Sequence, residues 1–211
     1  IIMGNTEYTS VAIDDRKLTI YYDNHPESPR EWDNLGTIAA FHRNYDLGDI
    51  QELRDVIDEL DQSKWSDTKS DDFYYSDDLG MVVEEMKKQG FIVLPVYMYD
   101  HSGITIATSP FSCRWDSGLL GIIFVSRETI LKEFGWKRIT KERRERIVNR
   151  LESEIKTYDQ YLTGEVFGFQ VTKEGEEVDS CWGFYHLKDI GEYLQESDLD
   201  LFEKLKKQEH L

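Results

Sequence analysis

The apolar positions of this chain change period several times. Between Tyr8 and Tyr22 apolar and polar residues alternate loosely and end in Leu18-Thr19-Ile20-Tyr21-Tyr22, a strand pattern. Pro26 to Thr37 holds two prolines and closes on Asn34-Leu35-Gly36, so it predicts a long irregular loop. Ile38 to Tyr45 predicts a short strand. Asp46-Leu47-Gly48-Asp49 then leads into helical spacing at Ile50, Leu53, Val56, Ile57 and Leu60. Asp49 is the expected cap, and further acids follow where a helix dipole favours them. Lys64 to Ser76 is polar, Asp-rich and punctuated by tyrosine, and predicts a mobile surface segment.

A second helix is expected from about Asp78 to a stop at Gly90. Phe91 to Tyr99 is nearly all apolar and predicts a strand of the core, with Pro95 pointing to an edge or a bulge. Ile104 to Ala107 and Leu119 to Val125 predict further strands, and Ser126 caps a short helix ending at Phe134-Gly135. The longest helix opens at Thr140, carries Ile147, Leu151, Ile155, Tyr158 and Leu162 on one stripe, and stops at Gly164. Val166 to Thr172 and Val178 to Tyr185 predict a hairpin, and Ser197 is expected to cap a terminal acidic helix. Strands and helices without regular alternation predict an α+β fold, a mostly antiparallel sheet with flanking helices, in one domain over residues 1–211. Ile1 and Ile2, ahead of Met3, read as additions to the natural start.

Charge changes the picture more than composition does. The net charge of −17 argues against direct binding of a nucleic-acid backbone and leaves room for a basic partner. It is concentrated: Asp46 to Asp78 carries net −9, Glu174 to Glu203 another −9, and the rest of the chain sums to about +1. Against that trend, Lys137, Arg138, Lys141, Arg143, Arg144 and Arg146 crowd the start of the longest helix, where the dipole disfavours cations. Pairing with the acidic helices is their expected fate. No run of about 18 apolar residues and no leader pattern are present, so neither a membrane span nor a secretory signal is expected. Two cysteines, Cys113 and Cys181, fit reduced thiols, with a single bridge between them as the alternative.

The strings PESPREWDNLGT (Pro26 to Thr37), YDHSGITIATSPFSC (Tyr99 to Cys113), WDSG (Trp115 to Gly118), YDQYLTGEVFGF (Tyr158 to Phe169) and DSCWGF (Asp179 to Phe184) resemble those of an uncharacterised bacteriophage protein family. The resemblance covers most of the chain from Pro26 to Phe184. It implies a small soluble protein in the cytoplasm of an infected bacterium, an accessory factor acting on host machinery. It brings no catalytic residues with it.

Four constellations carry candidate chemistry. Cys113, His101 and Asp100 supply the parts of a nucleophile, base and orienting carboxylate, against the alternative that the cysteine is a small hydrophobe. Asp33, Asp100 and Asp116 lie in turns where carboxylates converge on Ca²⁺ or Mg²⁺, although Asp also favours such turns for its own backbone bonds, and no cofactor is expected. Arg30, Trp32 and Asp33 read either as a phosphate and base site, or as an internal clamp of Arg30 on Asp33 or Asp116 with Trp32 covering the core edge. Finally, Asp46, Asp49, Glu52, Asp55, Asp58, Glu59, Asp71 and Asp72 form a partner-binding acidic surface, or merely a solubilising one. The leading expectation is a non-enzymatic inhibitor that binds a host protein with a basic surface, in a nucleic-acid-handling defence complex, by mimicking nucleic acid. The alternative is a hydrolase or ligand-binding protein with its site around Arg30, Asp33, Asp100, His101, Cys113 and Asp116.

Overall fold

The computed structural model describes residues 5–61, 78–113 and 115–207. The segment expected to be mobile, Lys64 to Ser76, and the acids Asp71 and Asp72 lie outside them. The fold is α+β, with eight strands in two four-stranded antiparallel sheets and six α-helices among the described residues. It packs as two compact units, Ile1–Pro29 with Gln160–Leu211, and Arg30–Asp159.

In the first unit the sheet order is β1-β2-β7-β8, from β1 (Glu7–Ile13), β2 (Arg16–Tyr22), β7 (Phe167–Lys173) and β8 (Glu176–Phe184). The loosely alternating Tyr8–Tyr22 stretch is thus two strands. Its turn is Asp14-Asp15, with Asp14 in the left-handed region that Asp tolerates better than most residues. One face of the sheet buries Ile13, Leu18, Ile20, Phe167, Phe169 and Val171 against Ile190, Leu194, Leu201 and Leu205. These come from α5 (Leu187–Ser197) and α6 (Leu199–Lys207). The terminal helix expected after Ser197 is α6, and α5 is a further helix ahead of it. Asp198, not Ser197, caps the second by accepting from the Leu201 amide at 3.0 Å, while the Ser197 hydroxyl donates back to the Tyr193 carbonyl. Arg16 reaches Asp198 and Asp200 at 2.5 and 2.6 Å, so part of the second acidic stretch is neutralised within its own unit.

The second unit orders its sheet β3-β6-β4-β5, from β3 (Thr37–Ala40), β4 (Ile92–Asp100), β5 (Ile104–Ala107) and β6 (Ser117–Val125). Strand alternation turns Ile122 and Phe124 toward a cluster with Val56, Ile57, Leu60, Val82 and Met86. Those residues belong to α1 (Leu53–Asp58), its C-terminal flank, and α2 (Leu79–Lys88). On the opposite face Ile123 and Leu151 close on Gly36, where a Cβ would meet both within 2.8 Å. Leu151 lies on α4 (Lys141–Thr163), which follows the short α3 (Arg127–Glu133). Caps fall where local chemistry places them: Asp78 accepts from Met81, Ser126 from Thr129 and Thr140 from Arg143. Pro95 sits in the interior strand β4, but β5 pairs only with Tyr97–Asp100 and a register shift falls between Val96 and Tyr97. Among the described residues no strand pairs with Pro95 on the side away from β6, which suits its missing N–H.

The expected start of α1 is corrected. Helical spacing includes Ile50 and makes Asp49 the cap, whereas the helix begins at Leu53. Gly48, at φ 70, turns the chain back so that Ile50 bridges to Ala39 and gives its carbonyl to the Ala40 amide at 2.9 Å. A residue committed to a strand partner on both backbone groups cannot join the helix.

Two outcomes follow from this packing. A Cβ on Gly121 would lie 1.9 Å from the Ala39 carbonyl oxygen, so Gly121→Ala must part β3 from β6. Thermal unfolding should show a loss of about 2 kcal/mol or more. In the first unit Tyr185 donates to the Glu27 carbonyl at 3.1 Å. Burial foremost, then the neighbouring Tyr161, Asp23 and Glu27, pushes its phenol from 10.0 up to about 12. The folded chain keeps this proton after the unfolded chain has released it, so stability falls as pH rises from about 10 to about 12. Tyr185→Phe should abolish the late phenol in an alkaline ultraviolet titration and cost about 1 kcal/mol at neutral pH.

Candidate functional site

The Pro26–Thr37 loop is organised by a charge network around Arg30. Its guanidinium binds Asp49 through two bonds, Nε to Oδ1 at 3.0 Å and Nη2 to Oδ2 at 2.5 Å, and donates to the Gly36 carbonyl at 2.7 Å. Nη1 stands 3.8 Å from Glu154, a carboxylate of α4 that is only 5% exposed. The Leu35 and Gly36 amides each donate to Glu154 at 3.0 Å, and Arg150 adds a bond at 3.0 Å. Asp49 also accepts from the Ile38 amide at 2.7 Å. Of the two readings of Arg30, the structure supports the clamp, with its partners corrected from Asp33 and Asp116 to Asp49 and Glu154. Arg30, with a side chain 9% exposed, is bound bidentately to a carboxylate of its own chain, that of Asp49, 27% exposed.

Trp32 is 44% exposed. Asp33 is exposed and lines a pocket of about 420 Å³ with Asn34, Leu35, Thr129, Arg146 and Arg150. Glu154 had a signal in the sequence: an acid on the apolar stripe of Ile147, Leu151, Ile155 and Tyr158 must have a buried partner. The same helix also receives the Gly48 amide on the Tyr158 hydroxyl at 3.1 Å, and the Ile106 amide and Thr105 hydroxyl on Asp159 at 2.7 and 2.6 Å.

The second cluster lies where β4 ends opposite the start of β6. Tyr99 pairs with Ser117, and the Asp100 amide donates to the Asp116 carbonyl at 2.9 Å, which brings His101, Asp116 and Cys113 together. His101 Nδ1 is 3.3 Å from Asp116 Oδ2, and the Cys113 thiol meets the same oxygen at 3.8 Å. Asp100 instead accepts from the Tyr45 hydroxyl at 3.1 Å, a bond that, with the carboxylate's charge, raises the Tyr45 phenol above its ordinary range. A nucleophile relay places the imidazole between thiol and carboxylate. Here the carboxylate stands between thiol and imidazole, with His101 66% exposed, so the orientation expected for Cys113, His101 and Asp100 is not the one formed. Both cysteines are free thiols.

Asp33 stands apart from the contacts joining Asp100 to Asp116. Among the described residues no three His, Cys, Asp or Glu side chains converge as a Ca²⁺ or Mg²⁺ site requires. No helix of the described residues is long and apolar enough to cross a membrane.

The acidic candidates divide. Asp49 is withdrawn from the surface set, because its carboxylate is held by Arg30 and the Ile38 amide. Asp46, Glu52, Asp55, Asp58 and Glu59 are exposed, while Val56, Ile57 and Leu60 face inward from the same segment. Comparisons with protein-family models, with curated proteins and with solved structures find no match.

The Arg30 network predicts a sharp contrast between neighbours. Glu154→Gln removes the buried charge while keeping the shape and should cost about 3 kcal/mol by chemical denaturation, as breaking a buried pair does. Asp33→Ala should stay within about 0.5 kcal/mol.

Proposed function

We propose that this chain is a non-enzymatic acidic accessory protein, of the bacteriophage setting its strings resemble, that binds and inhibits a host protein with a basic, nucleic-acid-handling surface. One observation carries this reading: the α1 segment turns its apolar residues inward and leaves Asp46, Glu52, Asp55, Asp58 and Glu59 on the outside. Glu52 and Glu59 flank the short helix at its two ends and Asp55 lies in its first turn, so all three exposed carboxylates sit on one compact segment. Such a segment offers negative charge at intervals, as a phosphate backbone does, to a partner built to accept it. The hydrolase reading loses support from the order thiol, carboxylate, imidazole and from the commitment of Arg30.

The test is capture of host proteins on the immobilised chain, with duplex DNA as competitor. A nucleic-acid-handling protein should be retained, displaced by the competitor and released as salt rises, since exposed charges are screened within about 8 Å at physiological ionic strength. Glu52→Lys, Asp55→Lys and Glu59→Lys together should cut retention at least about tenfold by weakening electrostatic complementarity. Alanine at Cys113 or His101 should leave it unchanged. Equal retention by the triple variant would sink the proposal.

A further inference from the structure

The bases at the start of α4 do not meet the fate their sequence predicts. Residues 137–150 hold seven cations against Glu142 and Glu145. Among the described residues no carboxylate comes within 4.0 Å of Lys137, Arg138, Lys141, Arg143, Arg144 or Arg146, whereas Arg150, farther along, binds Glu154. Aromatic rings hold two of them instead. Phe134 and Trp136 stack at 4.6 Å, Arg143 lies 4.6 Å over Trp136, and Arg146 lies 5.5 Å over Phe134 and 5.9 Å over Trp136. Arg143 is further fixed by donating to the Arg138 carbonyl at 2.8 Å. Arg146 continues, with Thr129 and Arg150, into the wall of the 420 Å³ pocket, which also contains Asp33 and Glu133.

We infer that this patch binds the phosphodiester backbone of nucleic acid without reading its bases. Five of the seven cations are arginines, whose planar forks match phosphate oxygens and, once stacked on rings, lose little freedom on binding. They spread from the approach to the helix along its first ten residues, about 14 Å of axis, which suits a series of phosphates better than a single one. The helix start adds the positive end of its dipole to the same surface. The rings are engaged with each other and with guanidiniums, so they serve to hold the arginines and leave no platform for a base. The chain-wide charge of −17 does not oppose this, because exposed charges farther away than about 8 Å are screened. The patch and the acidic α1 face are built from different segments and carry opposite charge, so a protein that occupies a nucleic-acid site with one retains a grip on nucleic acid with the other.

The experiment is fluorescence anisotropy of the full chain with short labelled single-stranded and duplex DNA of several sequences, at about 50 mM and about 200 mM salt. Binding should be indifferent to sequence and fall steeply with salt, with a log-log slope near −4 for about four neutralised duplex phosphates. Arg144→Glu, at an exposed position outside the ring stack, and Arg146→Glu should each weaken it at least about threefold and together at least about tenfold, with circular dichroism unchanged. Trp136→Ala should weaken it while keeping the salt slope, since the charges remain but their support is lost. Glu52→Lys with Asp55→Lys should not weaken it, which separates this inference from the proposed inhibitor function. Absence of salt-dependent binding, full binding by the Arg144→Glu and Arg146→Glu double variant, or equal displacement of DNA by polyglutamate, which would make an acidic protein the partner, overturns it.

Discussion

Backbone amides from three separate segments of the second unit end on one helix. Leu35 and Gly36 donate to Glu154, Gly48 to Tyr158 and Ile106 to Asp159. These segments are irregular or belong to the short edge strand β5, so their N–H groups have few ladder partners, and a buried amide left unmade costs about 1–3 kcal/mol. The helix answers that demand with groups that are themselves costly to bury. Glu154 is tolerable only because two amides, Arg150 and the nearby Arg30 surround it. Arg30 in turn holds Asp49, and Asp49 holds the first core residue of β3. The chain of dependence runs from one side chain of α4 to the loop and from the loop to the sheet.

That arrangement explains what was readable in advance. The caps at Asp78, Ser126 and Thr140 and the stops at Gly90, Gly135 and Gly164 depend on residues three or four positions apart, and each is where the pattern puts it. Asp49 has the right type and place for a cap but is claimed by Arg30, nineteen positions earlier, a competitor that no local pattern displays. Ser197 loses its role to the adjacent Asp198 because the chain breaks between two helices there. Of the candidate site, the clustering of His101, Cys113 and Asp116 follows from strand pairing, yet which group stands in the middle is decided by side-chain positions beyond any spacing rule.

Charge shows the same division between what is local and what is tertiary. The two acidic stretches carry equal net charge in sequence, but Asp198 and Asp200 are consumed by Arg16 while the α1 carboxylates face out. The basic run at α4, expected to be neutralised, is instead propped on rings contributed by the end of α3 and its following turn. A strongly acidic chain can therefore carry a locally cationic surface, and net charge is a poor guide to what each face attracts.

Pro95 has a bearing beyond the geometry of β4. Because β5 accompanies only the far end of that strand, its near half presents a margin to which another extended chain could add. A proline at that margin withholds a donor that an incoming strand would need. The most apolar stretch of the chain thereby carries its own obstacle to edge-to-edge stacking between molecules, which lets the second unit keep a strongly hydrophobic sheet.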